Sequence, residues 1–167
     1  YYVDATGGLD SNAGTSQTAA WKTLAKVNTV TFTAGDQILL RAGQQWVEQL
    51  KPQGSGVSGN PITIGVYGDG PRPIIDGRNV AGGSSGGAAV SLLNVSYWTV
   101  SGLEVVNNNG KNNVGTIILG AIALPGDNRS GILVNNTSGT SKAGITIINN
   151  YVHNVNGCFV CSGANPQ

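Results

Sequence analysis

The sequence predicts an all-β fold in which short parallel strands wind into a solenoid, a parallel β-helix. The first observation is a repeat, because residues 90–108 recur without a gap at residues 132–150. The second is that each copy holds two β-branched runs separated by Asn, Ser, Thr and Gly, which is typical of strand, turn and strand. The third is that no helical periodicity lies between those runs. Without a crossover helix, such short strands reach parallel neighbours by winding around a common axis.

The repeat predicts specific contacts, because each unit of a solenoid buries its apolar face by stacking on the next unit. Superposition of the two copies places Val90 on Ile132 and Val105 on Ile147. We therefore expect these apolar pairs to stack. The superposition also aligns asparagines, which are expected to form a hydrogen-bonded ladder unless they only mark loops. The aligned asparagines are Asn107 with Asn149 and Asn108 with Asn150.

The composition favours one turn-rich domain and excludes two classes of partner. The chain has 167 residues, of which 26 are Gly and only 10 % are charged, as suits an all-β protein. A net charge of +1 excludes the dense basic surface that nucleic-acid binding needs. No apolar run approaches the roughly 18 residues of a membrane span. The chain begins with Tyr1, so we expect a secreted protein whose signal peptide has been removed, although a shortened chain would begin the same way.

Residues 1 to about 35 are predicted to cap the first coil. Within them, residues 18–28 place Trp21, Leu24 and Val27 at helical spacing, which predicts one amphipathic α-helix of about three turns. A helix ahead of the repeats would cover the open edge of the first coil.

Short strands bounded by Gly, Pro or Asn follow the cap. They are predicted at residues 36–41, 46–50 and 61–67, and residues 73–77 begin the transition into the repeats. Residues 81–88 predict a surface loop, because this stretch of Gly, Ser and Ala has no side chains with which to pack. Residues 109–130 interrupt the repeat, and such insertions of a solenoid often build a binding site.

The cysteine pair Cys158 and Cys161 leaves two interpretations open. A C-x-x-C pair in a secreted chain is able to form a disulfide. A straight strand would hold the two Cα atoms about 10 Å apart, so a disulfide requires a turn here. The alternative is two thiols, buried or in a loop. A zinc site would need two further ligands, and His153 alone is too few.

Four stretches carry a resemblance to a known family. They are YYVDATGGLDSNAGTS with AWKTLAKVN, then GDQILLRAGQQW, then GSGVSGNPITIGVYGDGPRPIIDG, and finally YVHNVNG. In this order they resemble the amino-terminal part of secreted bacterial right-handed parallel β-helix proteins of the pectate-lyase-like superfamily. The resemblance implies a right-handed β-helix with an amino-terminal capping α-helix. It also implies that residues 1–167 form a single domain of three to four coils, and that the β-helix continues beyond residue 167.

Members of that superfamily include polysaccharide lyases and glycoside hydrolases, so the resemblance implies a carbohydrate-active protein. A lyase needs a base, together with calcium or another cation to neutralise the substrate carboxylate. A glycoside hydrolase needs two carboxyl groups across the scissile bond. No acids are paired in a recognisable motif here, so the catalytic residues are expected largely in later coils, and no cofactor is evident apart from calcium if the protein is a lyase.

Four residues are candidates for substrate binding. Glu104 alternates with apolar neighbours and so points outward, and His153 alternates in the same way. Two more candidates lie in or beside the interrupting loop, where they would contact sugar hydroxyls. Ordinary solvated side chains are the alternative for all four, which are Glu104, Asp127, Arg129 and His153.

Two functions follow from these expectations. The first is a secreted enzyme that acts on a polysaccharide with the help of the remaining carboxy-terminal coils of the same protein. The alternative is a non-catalytic β-helix that binds glycan or serves as a structural surface module.

Overall fold

The fold is all-β, as the sequence predicts. A computed structural model describes residues 1–81, 87–108 and 129–155. These parts contain thirteen strands, one 3-10 turn at Gln17–Ala19 and one short helix, α1, at Leu24–Asn28. The strands are β1 (Tyr2–Val3), β2 (Thr31–Phe32), β3 (Gln37–Arg41), β4 (Gln45–Trp46), β5 (Gln53–Gly54), β6 (Ile62–Tyr67), β7 (Ile74–Asp76), β8 (Gly87–Leu93), β9 (Trp98–Ser101), β10 (Glu104–Asn107), β11 (Arg129–Asn135), β12 (Ile145–Ile148) and β13 (Tyr151–Val155). No helix in the described parts is long and apolar enough to cross a membrane.

The named strands pair in parallel. A five-stranded sheet has the order β1-β3-β6-β9-β12, and a four-stranded sheet has the order β13-β10-β7-β4. Two smaller sheets pair β8 with β11 and β2 with β5. The chain passes from the five-stranded to the four-stranded sheet four times, at β3 to β4, β6 to β7, β9 to β10 and β12 to β13. Each passage therefore stacks new strands on those of the passage before.

The predicted register of the repeat is correct in its first half and wrong in its second. Val90 lies opposite Ile132, 42 residues later, as expected. Ile147 lies opposite Val100, 47 residues earlier, and not opposite Val105. The turn between β11 and β12 is five residues longer than the turn between β8 and β9, so every later pair shifts by five. An ungapped sequence match cannot detect such an insertion.

The asparagine ladder fails for the same reason. Asn107 lies opposite Val155, where the register is irregular, and its side chain is buried. Asn149 takes the place of Gly102 in the stacking, and both adopt the left-handed backbone, at φ 56° and 78°. Asn150 bonds to the turn below, since its Nδ2 donates to the Val100 carbonyl at 2.9 Å and its Oδ1 accepts from the Leu103 N–H at 3.0 Å.

The predicted helix at residues 18–28 is mostly absent. Trp21 is extended because its N–H donates to the Tyr2 carbonyl at 2.9 Å and its carbonyl accepts from the Asp4 N–H at 2.8 Å. Asp10 holds the following turn open by accepting from the backbone N–H of Thr23 at 2.9 Å. Helix α1 begins only after Thr23, whose side chain caps it by accepting from the Lys26 N–H at 3.0 Å. The edge of β1 is thus covered by an extended segment and not by a helix.

The other predicted strands are largely confirmed. Strands β3 and β6 fall within the predicted ranges 36–41 and 61–67, and β7 within 73–77. The range 46–50 is mostly irregular, because only Trp46 belongs to a strand and Leu50 makes an isolated bridge to Val90. The interior between the sheets is apolar. Phe32 and Trp98 pack edge to face there, with ring centroids 6.2 Å apart.

Candidate functional site

One face of the four-stranded sheet points away from the apolar interior. Trp46, Ile75 and Val105 lie opposite one another in β4, β7 and β10, and all three are buried. Their neighbours along each strand point to the opposite side, because successive side chains of a strand alternate. We call that side the outer face. It carries two rows of side chains, Gln45, Ile74, Glu104 and Tyr151 in the first and Asp76, Val106 and His153 in the second.

Glu104 and His153 form a pair on the outer face. The register places Val106 opposite His153, so Glu104 and His153 are diagonal neighbours on adjacent strands. Their side chains meet at 3.0 Å between Oε1 and Nε2, and both remain partly exposed. Tyr151 stacks on His153 with ring centroids 4.2 Å apart and is itself exposed. An aromatic ring therefore lies beside a carboxylate and an imidazole, which is a surface suited to a sugar.

A second carboxylate, that of Asp76, lies in β7, two strands from β13 in the four-stranded sheet. Asp76 is only 2 % exposed, although its position in β7 points outward. Arg78 covers it and donates to its Oδ2 from Nε at 2.7 Å, and Gln45 donates to the same oxygen at 3.0 Å. Burial by itself would raise the pKa of Asp76, but the hydrogen bonds from Arg78 and Gln45 outweigh it and lower the pKa. Asp76 is therefore ionised, and its oxygens are occupied by the protein.

Arg129 lies at the corner where the four-stranded sheet meets β11. Its side chain is buried, and its Nη1 donates to Asn107 Oδ1 at 2.9 Å and to the carbonyl oxygen of Gly77 at 3.1 Å. Asn107 in turn donates to the carbonyl oxygens of Gly87 and Ser130, both at 2.8 Å. Arg129 and Asn107 thus hold the backbone just before Arg78. They thereby help to keep the Arg78 side chain over Asp76.

Two of the four predicted site residues lie on the outer face, whereas Arg129, predicted in a loop, begins β11 and is buried. Glu104 and His153 touch each other on the outer face, and Arg129 lies at the carboxyl ends of β7 and β10. Contact of any of these with a sugar stays a prediction. Asp127, Cys158 and Cys161 lie outside the described residues, as do most of residues 81–88 and 109–130. Within the described ranges, no group of three or more His, Cys, Asp and Glu side chains is placed to hold a metal ion.

Sequence reasoning missed Asp76 and Arg78. Residues 73–77 predict only a transition into the repeats, yet the segment PIIDGR has an acidic residue at the outward position at the end of a strand and a basic residue two positions later. That spacing was the available signal. The buried hydrogen bonds of Asn107 were also not predicted, because the repeat predicts that this residue belongs to an asparagine ladder.

The two carboxylates are unsuited to cleaving a glycosidic bond by themselves. A glycoside hydrolase places two carboxyl groups on either side of the substrate. Asp76 is buried beneath Arg78, and Glu104 is engaged by His153. What the outer face offers chemically is an exposed aromatic ring, Tyr151, beside the hydrogen-bonding groups of Glu104 and His153.

Comparison with known proteins indicates the class of protein. No family model matches the chain. The chain is 30 % identical to the lacto-N-biosidase of Bifidobacterium longum subsp. longum, in a match that covers 94 % of the chain and 12 % of that protein. Two crystal structures of the GH136 lacto-N-biosidase from Eubacterium ramulus match with TM-scores of 0.77 and 0.71 and 27 % identity. The chain is similar to lacto-N-biosidases.

These relatives are glycoside hydrolases, so the chain is homologous to carbohydrate-active proteins. The chain spans 27 % of the Eubacterium ramulus chain and 12 % of the Bifidobacterium longum protein, a small part of each.

Proposed function

We propose that the protein is a secreted glycoside hydrolase that releases lacto-N-biose from glycans, and that this chain forms the amino-terminal coils of its parallel β-helix. The observation that carries the proposal is the match to lacto-N-biosidases over 94 % of the chain, in both sequence and structure. A polysaccharide lyase has no comparable support.

The strand order supports the β-helix. The chain returns to the same two sheets in the same order, and each new strand pairs in parallel with the strand of the previous passage. This is the arrangement expected of coils stacked along one axis. The right-handed sense of the helix rests on the family resemblance.

The exposed strand edge supports further coils. Val100 and Leu92 are buried, but the residues stacked on them, Ile147 and Val134, are 45 % and 47 % exposed. Apolar side chains and strand edges exposed together call for another layer. We propose that the remaining coils of the same protein supply it.

The catalytic carboxyl groups belong to those coils in this proposal. Asp76 is covered by Arg78, which leaves Glu104 as the accessible carboxylate of the outer-face rows, and a glycoside hydrolase needs two. The outer face contributes sugar binding instead, through Tyr151, Glu104 and His153.

The experiment is an assay of the protein against an aryl β-lacto-N-bioside and against pectate. We expect released lacto-N-biose from the first substrate, no unsaturated product from the second, and the same rate after treatment with EDTA. An unsaturated product that requires calcium would refute the hydrolase and establish a lyase. Saturable binding of glycan without turnover of either substrate would instead identify a non-catalytic binding module.

A further inference from the structure

The sequence contains two Asp–Gly steps, and the fold places them in different surroundings. Asp69–Gly70 lies in the turn between β6 and β7, whereas Asp76–Gly77 lies at the end of β7. In such a step the glycine nitrogen is able to close a five-membered ring on the aspartate side chain, because glycine has no side chain to hinder the approach. Ring closure then depends on how free that nitrogen and the carboxyl group are.

We propose that Asp69 is a site of spontaneous covalent modification, at which the exposed Asp69–Gly70 step isomerises to isoaspartate while the fold protects the buried Asp76–Gly77 step. The reaction needs only water. The inference therefore does not rest on the proposed hydrolase activity.

The reaction leaves the composition of the protein unchanged. The Gly70 nitrogen attacks the side-chain carbon of protonated Asp69, a C–N bond forms, one C–O bond breaks, and the hydroxyl leaves as water with the proton of the Gly70 N–H. Water then opens the resulting succinimide at either of its two carbonyls by breaking the bond from that carbon to nitrogen. One opening restores aspartate. The other leaves the main chain running through the former side chain, with a free α-carboxylate.

The Asp69–Gly70 step has the freedom that ring closure requires. Both residues are exposed. Neither the Asp69 carboxylate nor the Gly70 N–H makes a hydrogen bond with any described residue, so no bond to the protein has to break before the two groups meet.

The turn around this step is held at its two ends. The Ala42 N–H donates to the Tyr67 carbonyl at 2.9 Å, and the Gly43 N–H donates to the Pro71 carbonyl at 2.7 Å. Between these bonds the turn has space, since a Cβ built on Gly68 would meet no atom within 4 Å. The extra main-chain carbon of isoaspartate can therefore be accommodated, and the modified protein should keep its sheets.

The Asp76–Gly77 step lacks that freedom. The Gly77 N–H donates to the Val106 carbonyl at 2.8 Å. Asp76 is buried, and its Oδ2 accepts from Arg78 Nε at 2.7 Å and from Gln45 at 3.0 Å. These bonds must break before the ring closes, and the loss of even one slows the reaction by about tenfold.

The test follows the protein during incubation at mildly acidic pH, both folded and in guanidinium chloride. Endoproteinase Asp-N is then applied to the denatured chain, because it cuts before aspartate but not before isoaspartate. Mass spectrometry of the fragments gives the uncut fraction at each position separately. In the folded protein we expect the uncut fraction to grow at least about tenfold faster before Asp69 than before Asp76. In guanidinium chloride, where both steps are free, the two rates should be similar.

An asparagine at the same position gives a second measurement. In Asp69→Asn the ring closes with loss of ammonia and opens with water, so the folded variant should gain mass as the amide becomes a carboxylate. Asp76→Asn is the matched control and should gain mass about tenfold more slowly, because the Gly77 N–H stays bonded to the Val106 carbonyl.

Equal rates at the two positions of the folded protein would overturn the inference. So would complete cutting before Asp69 in the folded sample when the denatured sample loses that cut. A folded Asp69→Asn variant of constant mass would likewise show that the turn prevents ring closure.

Discussion

The two ends of the strand stack are finished in different ways. At the amino-terminal end, Val3 in β1 is bridged by Trp21, and both side chains are buried. At the other end, the rows of stacked apolar residues stop in side chains that are nearly half exposed: Val152 after Val105, and Ile147 after Val100. At the amino-terminal end the chain's own aromatic residues cover the strand stack. At the other end the stack stops in exposed apolar side chains of the kind that fill its interior.

This difference shows that local apolar patterning does not by itself define a core. Ile147 has the same chemistry as Ile38 and Ile64, which occupy the same row and are fully buried. Only its position in the stack differs. A residue of a parallel stack is buried by the layers on both sides, so its contribution to stability depends on whether the next layer is present.

The largest effect should come from removing the cover of the closed end. Trp21→Ala deletes a buried side chain that stacks on Tyr1, with ring centroids 4.8 Å apart, and that donates from Nε1 to the Asn12 carbonyl at 2.9 Å. Buried Trp to Ala changes cost about 3–5 kcal/mol, and we expect a loss in that range in urea unfolding. A loss below about 1 kcal/mol would mean that the closed end is not sealed by Trp21.

The open end is tested with a charge on the row of stacked apolar residues. On the proposal that further coils cover this row, Ile147→Asp in the protein that contains them would bury an unpaired carboxylate and should cost about 3 kcal/mol. Thr146→Asp is the matched control on the same strand, because Thr146 faces the opposite side and should cost no more than about 0.5 kcal/mol. Equal, small effects of both changes would show that nothing covers Ile147.

Acid should weaken the closed end. Asp4 is buried and accepts from the Gly7 N–H at 2.8 Å, from Gln44 at 2.7 Å and from Arg41 at 2.5 Å. Burial alone would raise its pKa, but these hydrogen bonds, with that from Thr6, lower it from 3.8 to about 2. Because the folded pKa lies below the unfolded one, the stabilisation is complete above about pH 5 and is largely lost as the pH falls to about 2. It amounts to roughly 2 kcal/mol.

The measurement is the free energy of unfolding between pH 5 and pH 2 for the protein and for Asp4→Asn. The variant lacks the titrating group, so its pH dependence should be smaller in this window. Identical slopes would contradict the role given to Asp4.

The smallest effect on stability is expected at the outer face. Glu104→Gln keeps the shape of the side chain and weakens a partly exposed contact with His153, so we expect a change below about 1 kcal/mol. Its effect on glycan affinity should be larger, a loss of about tenfold, if Glu104 accepts from sugar hydroxyls. Lys142→Gln, on an exposed turn, is the control and should change neither. A change in stability without a change in glycan affinity would contradict the proposed role of Glu104 in sugar binding.

The sequence predicted the strands better than their register or the cap. Alternation and turn residues suffice to locate β3, β6, β11 and β12. The register of β12 and β13 depends on the length of the turn after β11. That turn is five residues longer than the turn after β8, so these strands pair differently from what the ungapped repeat predicts. The helical spacing of Trp21, Leu24 and Val27 correctly indicates a helix only from Leu24 onward, because Trp21 instead pairs with β1 in an extended conformation.

The candidate site was predictable only in part. Glu104 and His153 were found because alternation alone places a side chain on one face of a strand. Their contact was not foreseen, since it depends on the 47-residue register. Asp76 and Arg78 were missed because a buried carboxylate covered by a half-exposed arginine leaves no periodic pattern, and only the place of Asp76 at the end of β7 distinguishes it.

The most direct test of the account is the behaviour of residues 1–167 expressed alone. An open end made of Val134, Ile147, Ile148 and Val152 should drive self-association, so analytical ultracentrifugation is expected to show association that grows with protein concentration, and thermal unfolding should be broad. A double change to Ile148→Lys and Val152→Lys should reduce the association. A stable monomer with one cooperative unfolding transition would contradict the claim that this edge is the interior of a longer stack.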